Sequence, residues 1–158
     1  FLFFKRNTED DFVFGDWSSA VCSSDLHHQA TWLEGGFYAG PIQYPGAPVS
    51  PEGLKGLGGE FCAKVPQWSN EPYGPEEFQR DLQEPLSVAR KRGLPLYCGE
   101  FGCIMKAPQP IRRAWLSDFM GVLKSNGVSW ANWDCRSDNF GLFDMQGSET
   151  GILDILMK

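Results

Sequence analysis

The chain has 158 residues, a formal net charge of −6, six tryptophans and twelve phenylalanines. That length can bury one sizeable core; the acidic balance offers no basic face for a phosphate backbone, so nucleic acid is not an expected partner. No apolar run approaches the roughly 20 residues that would span a bilayer, so a membrane is not one either.

Five cysteines, Cys22, Cys62, Cys98, Cys103 and Cys135, form no pair of C-x-x-C motifs and are odd in number. Neither a structural zinc site nor a closed disulfide framework is expected from that spacing. The aromatic surplus has two readings, a large aromatic core or flat platforms on which sugar rings stack, and composition alone does not choose between them.

In chain order, residues 1–26 (FLFFKRNTEDDFVFGDWSSAVCSSDL) carry neither helical nor strand periodicity over a useful length and join abruptly to HHQATW. The run DWSSAVCSSDL resembles translated sequencing-adapter read-through, so the expected domain division is a non-native segment at 1–26 and a working segment at 27–158. The alternative is a genuine strand at Phe12 to Phe14 with a Ser-rich loop behind it. The absence of an initiator Met leaves a signal peptide open.

From Thr31 to Asn70 the chain is rich in Gly and Pro, which predicts a long loop of the kind that builds a site. Pro75 followed by Glu76 and Glu77 predicts the start of a helix whose apolar stripe is Phe78, Leu82, Leu86 and Ala89 and whose end is Arg90 to Gly93. Pro85 inside that run predicts a kink. Leu94 to Gly99 (LPLYCG) reads as a short buried parallel strand.

A second helix is expected from about Pro110, with Ile111, Ala114, Trp115, Phe119, Val122 and Leu123 at helical spacing, stopping at Ser125 to Gly127. Val128 to Trp133 reads as a further strand. Helix, strand, helix, strand with tight turns at Gly93 and Gly127 is the pattern of an α/β chain with a parallel sheet and crossover helices.

Glu100 directly follows the LPLYCG strand and is therefore expected at the C-terminal mouth of the sheet, flanked by Gly99 and Gly102, which let backbone or ligand approach closely. A carboxylate there must be solvated, paired or used; an ordinary ion pair is the alternative to a catalytic role. Trp133 ends the next strand, where an indole could stack on the apolar face of a pyranose or simply join a core. Trp130, three residues earlier, is assigned to packing.

Taken together, GEFG at Gly99 to Gly102, SWANWD with FGLFD at Phe140 to Asp144, and HQATW at His28 to Trp32 resemble segments of glycoside hydrolase family 5, the cellulase family of clan A. The resemblance covers roughly residues 27–158 and departs from the family pattern by lacking the Gly that usually follows Gln in the HQ segment. It implies the C-terminal strands and helices, from about the sixth strand onward, of a (β/α)₈ TIM barrel, an architecture that needs about 250 residues in full. It further implies Glu100 as the catalytic nucleophile of a retaining glycosidase, Trp133 as the floor of the sugar subsite, and His28 and Trp32 as residues approaching the substrate. The implied reaction is cleavage of a β-linked polysaccharide in the manner of an endoglucanase. It needs no cofactor or metal and implies an oligosaccharide or polysaccharide partner, with no protein partner.

Asn70-Glu71-Pro72 imitates the family's acid/base motif but stands in the wrong order along the chain, so Glu71 is read as a loop residue. On this reading the second carboxylate and the earlier strands are missing. The chain by itself is then expected to fold poorly and to show no measurable glycosidase activity, since open sheet edges and an apolar interior would be exposed. Other readings are another clan A β-glycosidase, a non-catalytic carbohydrate-binding protein, or an unrelated α/β domain with a coincidental GEFG. Glucan against mannan or xylan, endo against exo action, oligomeric state and compartment are not decided by the residues; a secreted or periplasmic parent would fit the resemblance.

Overall fold

A computed structural model describes residues 40–47 and 72–158 of the chain. The first regular element, α1 (Pro75–Asp81), opens with a proline in its first turn and carries Glu76 and Glu77 there; α2 (Gln83–Arg92) ends in Arg90, Lys91 and Arg92. Both charge placements complement the helix dipole. Gly93 then takes a left-handed conformation at φ 62°, which closes α2 and releases the chain toward the sheet.

The expected single kinked helix is instead two helices separated at Leu82. Pro85 explains the position of the break. It cannot donate to the carbonyl four residues back, that of Asp81, and its ring crowds that carbonyl, so α1 stops there and Pro85 falls in the first turn of α2.

Strand β1 (Tyr97–Phe101) pairs in parallel with β2 (Ser129–Asn132), and α3 (Gln109–Ser125) makes the crossover between them. The expected strand at Leu94 to Gly99 therefore lies further along the chain. Pro95 has no N–H to give a ladder, and pairing begins only where the Leu96 carbonyl accepts the Ser129 N–H at 3.3 Å. A short helix, α4 (Leu153–Leu156), packs on α3 near the C-terminus and was not foreseen from the sequence.

The core lies between α3 and its neighbours. Phe119 and Leu123 of α3, both from the predicted stripe, are fully buried at helical spacing, and Leu116, outside that stripe, is fully buried with them. Phe78 of α1 sits at the centre of an aromatic cluster, with its ring centroid 5.1 Å from Tyr73, 5.2 Å from Trp115 and 5.1 Å from Phe119. Phe119 continues the chain of contacts to Phe101 at 5.1 Å, and Phe101 to Trp130 at 5.7 Å. Ring contacts thus run without a break from α1 through α3 to the two strands.

From residues 40–47, Ile42 and Tyr44 join the same core, and the Tyr44 hydroxyl donates to Asp118 of α3 at 3.0 Å. The described residues form a small α/β piece with two parallel strands, in the helix–strand order that the sequence predicts. Residues 1–26, His27, His28, Trp32, Glu71 and most of the Gly/Pro-rich loop lie outside the described residues.

Candidate functional site

The two strands meet in a register that decides which side chains share a face. Tyr97 pairs with Ser129 and Cys98 with Trp130, but the next partners are Phe101 and Asn132, so β1 spends one extra residue across this interval. The bulge falls at Gly99 and Glu100. A bulge re-aims side chains, and its effect is visible in the burial: Cys98 and Phe101, three apart, are both buried, whereas Glu100 between them is exposed.

Phe101 and Asn132 are register partners and so point to one face, where Phe101 also meets Trp130. Alternation assigns their neighbours Glu100 and Trp133 to the opposite face. The ladder continues one step beyond the strands, with the Trp133 N–H donating to the Phe101 carbonyl at 2.6 Å. Glu100 thus lies inside β1, one residue before its end, rather than following the strand; Trp133 stands just past β2 and is 52% exposed. Trp130, by contrast, packs against the core.

Gly102, just past β1, lies hard against the end of β2. A side chain there would run into the Trp133 carbonyl and would lie 3.3 Å from the Phe140 ring, so only glycine permits this approach. The peptide between Trp133 and Asp134 is cis.

Beyond it the chain folds into a loop held by its own polar groups. The Ser137 hydroxyl donates to Asp134 Oδ1 at 2.8 Å and accepts from the Asn139 and Phe140 N–H groups; Leu142 N–H donates to the Asp134 carbonyl at 3.0 Å. The loop is stitched to the segment after β1 by the Met105 N–H, which donates to the Asn139 carbonyl at 2.7 Å. Asp134 serves this scaffold.

Two polar residues that sequence reasoning did not single out lie under this loop. Asn132 donates to the Asp134 carbonyl at 3.2 Å, while its side-chain oxygen is buried without a partner among the described residues. Arg112 of α3 is buried beside Cys103. Burial pushes the Cys103 thiol up to about 12, against the pull of the Arg112 guanidinium, and burial likewise lowers the pKa of Arg112. An arginine inside the IRRAW helix run resembles any solvated helix charge, and nothing in the periodicity separates it from Arg113, which is half-exposed.

The C-terminal end is anchored by charge. Glu149 Oε1 accepts the N–H groups of Gly151, Ile152 and Leu153 at 2.8 to 2.9 Å, and those bonds, Leu153 foremost, lower its pKa. Arg113 grips both oxygens of Asp154 at 2.7 and 2.8 Å and holds that carboxyl down to about 2. Among the described residues no group of three or more His, Cys, Asp or Glu could hold a metal ion, and no helix is long and apolar enough to cross a membrane.

No family model matches the chain. Over 125 residues it is 28% identical to Endoglucanase C of Acetivibrio thermocellus, a match that covers 75% of this chain and 34% of the relative. The chain thus spans about a third (34%) of the length of the curated relatives it matches. Among solved structures, it overlaps the cellulose synthase subunit Z of Clostridioides difficile (TM-score 0.48, 26% identity, 53% of this chain and 28% of that one). It also overlaps endoglucanase Cel5A of Thermotoga maritima (TM-score 0.47, 25% identity, 52% and 27%). Both overlaps are partial; in sequence, the chain is similar to part of a bacterial endoglucanase.

Proposed function

We propose that this chain supplies the nucleophile end of a retaining β-glycosidase of endoglucanase type, of glycoside hydrolase family 5 in kind, whose substrate is a β-linked oligosaccharide or polysaccharide. Glu100 is the nucleophile and Trp133 the platform beneath the sugar at the point of cleavage; His28 and Trp32, outside the described residues, are assigned to substrate contact by the resemblance of the HQATW segment. The observation that carries the reading is the register. It brings an exposed carboxylate and an exposed indole to one face and one end of two paired parallel strands, in a sequence similar to an endoglucanase.

The chemistry follows from that placement. A pyranose laid on the indole presents its apolar C–H face to the ring, and the adjacent carboxylate oxygen attacks the anomeric carbon. The C–O bond to the leaving sugar breaks as a glycosyl ester to Glu100 forms. A second carboxyl group, about 5 to 5.5 Å from the first, protonates the leaving oxygen and later activates water. The chain is read as holding the first of these two groups, with the acid/base carboxyl and the earlier strands of the barrel supplied by a longer parent.

The test uses a β-cellobioside with fluorine at C2 and a dinitrophenolate leaving group, which needs no acid to depart. The chain should gain the mass of one fluoroglycosyl group, mapped by peptide mass spectrometry to Glu100 and absent from Glu100→Gln. An adduct on another residue, or none in a chain that binds cellotetraose, overturns the assignment. Retained oligosaccharide binding by Glu100→Gln without any adduct in the wild-type chain would instead favour a non-catalytic carbohydrate-binding protein.

A further inference from the structure

Arg112 is 3% exposed, yet among the described residues its Nε and Nη2 have no hydrogen-bond partner; Nη1 donates to the Thr150 carbonyl at 3.2 Å, and the guanidinium also meets the buried Cys103 thiol. A buried cation so thinly satisfied is a poor contributor to stability, and an apolar side chain of similar volume would serve the core at least as well. What the arginine does instead is indicated by the residue it holds.

Thr150 is the knot of the loop that follows β2. Its hydroxyl shares its one proton between the carbonyls of Gly141 (2.7 Å) and Leu142 (3.1 Å), and its N–H donates to the Leu142 carbonyl at 3.0 Å. Leu142 in turn donates its N–H to the carbonyl of Asp134, the residue covalently next to Trp133. Gly141 is packed so tightly between Phe143 and Ser137 that an added carbon would collide with both backbones, so a displacement of Thr150 cannot be absorbed there.

We propose that Arg112 is a positioning residue: from the buried face of α3 it grips Thr150 and, through Leu142 and Asp134, sets the Trp133 indole at the strand ends. The proposal rests on the reading of Trp133 as a sugar platform. Arg112 does not touch substrate.

Residue-resolved amide hydrogen exchange on the 158-residue chain, with cellotetraose titration alongside, tests it. Arg112→Met removes the grip, and Thr150→Val removes the hydroxyl's share of the tie to Gly141 and Leu142, keeping the backbone bonds and disturbing no buried charge. Each should accelerate exchange at Leu142 and Phe143 by about tenfold, the scale of one lost charge-assisted or side-chain hydrogen bond. Met120 and Leu123 of α3 should keep their protection, Arg112→Lys should recover part of the loop's protection, and cellotetraose affinity should fall with the loop's order. Acceleration of helix and loop amides by one common factor, or no change in the loop, overturns the positioning role. Wild-type chain that fails to bind cellotetraose overturns the platform reading instead, while the exchange pattern still decides whether Arg112 holds the loop.

Discussion

The β1–α3–β2 unit and the loop after it are neighbours held by different physics. The unit is closed by apolar burial, with its Phe101, Phe119 and Leu116, and Phe78 of α1 packed on them, at or near zero exposure. The loop from Asp134 to Gly151 buries little and is shaped by side-chain-to-backbone bonds at Ser137, Thr150, Asp138 and Asp144. Apolar packing is non-directional and tolerates small adjustments; hydrogen bonds are directional and hold a chain in one path. The candidate carboxylate stands on the first kind of structure and the candidate indole on the edge of the second.

The sharpest way to break that contrast is Phe119→Ala. It removes a ring touching Phe78, Trp115 and Phe101 together, and should cost about 3 to 5 kcal/mol in urea unfolding. Loss of the loop's order before the helices melt would contradict the view that the core carries the fold.

Gly102→Ala strikes the seam instead, where the new methyl meets the Trp133 carbonyl. A penalty of about 1 to 3 kcal/mol is expected, together with a change in Trp133 quenching by acrylamide, because the strand ends must part. An unchanged quenching curve would show that the two ends do not depend on each other.

The smallest effect is set by pH. Glu149 and Asp154 both have folded pKa values below their ordinary ones, so their contributions are complete above those ordinary values and fade as pH falls through the folded values. C-terminal protection against exchange should therefore hold at neutral pH and decline from about pH 4.5 toward 2, the interval spanned by the ordinary Glu value and the lowered Asp154 value. The Asp154 part, being solvent-exposed, should weaken with added salt, and Arg113→Gln should remove it while leaving the Glu149 cap intact. A flat profile across that interval would mean that the short α4 is held by its apolar contacts alone.

Much of the fold was legible in the residues. The stripe Trp115, Phe119, Val122 and Leu123 announced α3, and Gly93 and Gly127 marked the two turns into the strands, each now at positive φ. Both strands were placed, but β1 too early, since an apolar run says where burial is wanted and not where a partner's ladder begins. The short α4 went unseen because its cap is a carboxylate side chain folding onto three amides, a contact with no periodic signature. For the candidate site, Glu100 and Trp133 stood out by position, whereas Arg112 and Asn132 did not, since burial of a polar group depends on what comes to lie above it.

By itself, then, the order of residues determined the helix–strand alternation and the turn positions, because these arise from local propensity and periodicity. It also marked out the two exposed groups at the strand ends. Only the tertiary structure decided the one-residue bulge at Gly99 and Glu100, the face that carboxylate and indole share, and the buried arginine beneath the loop. Register and burial are properties of two segments meeting, and neither segment encodes them alone.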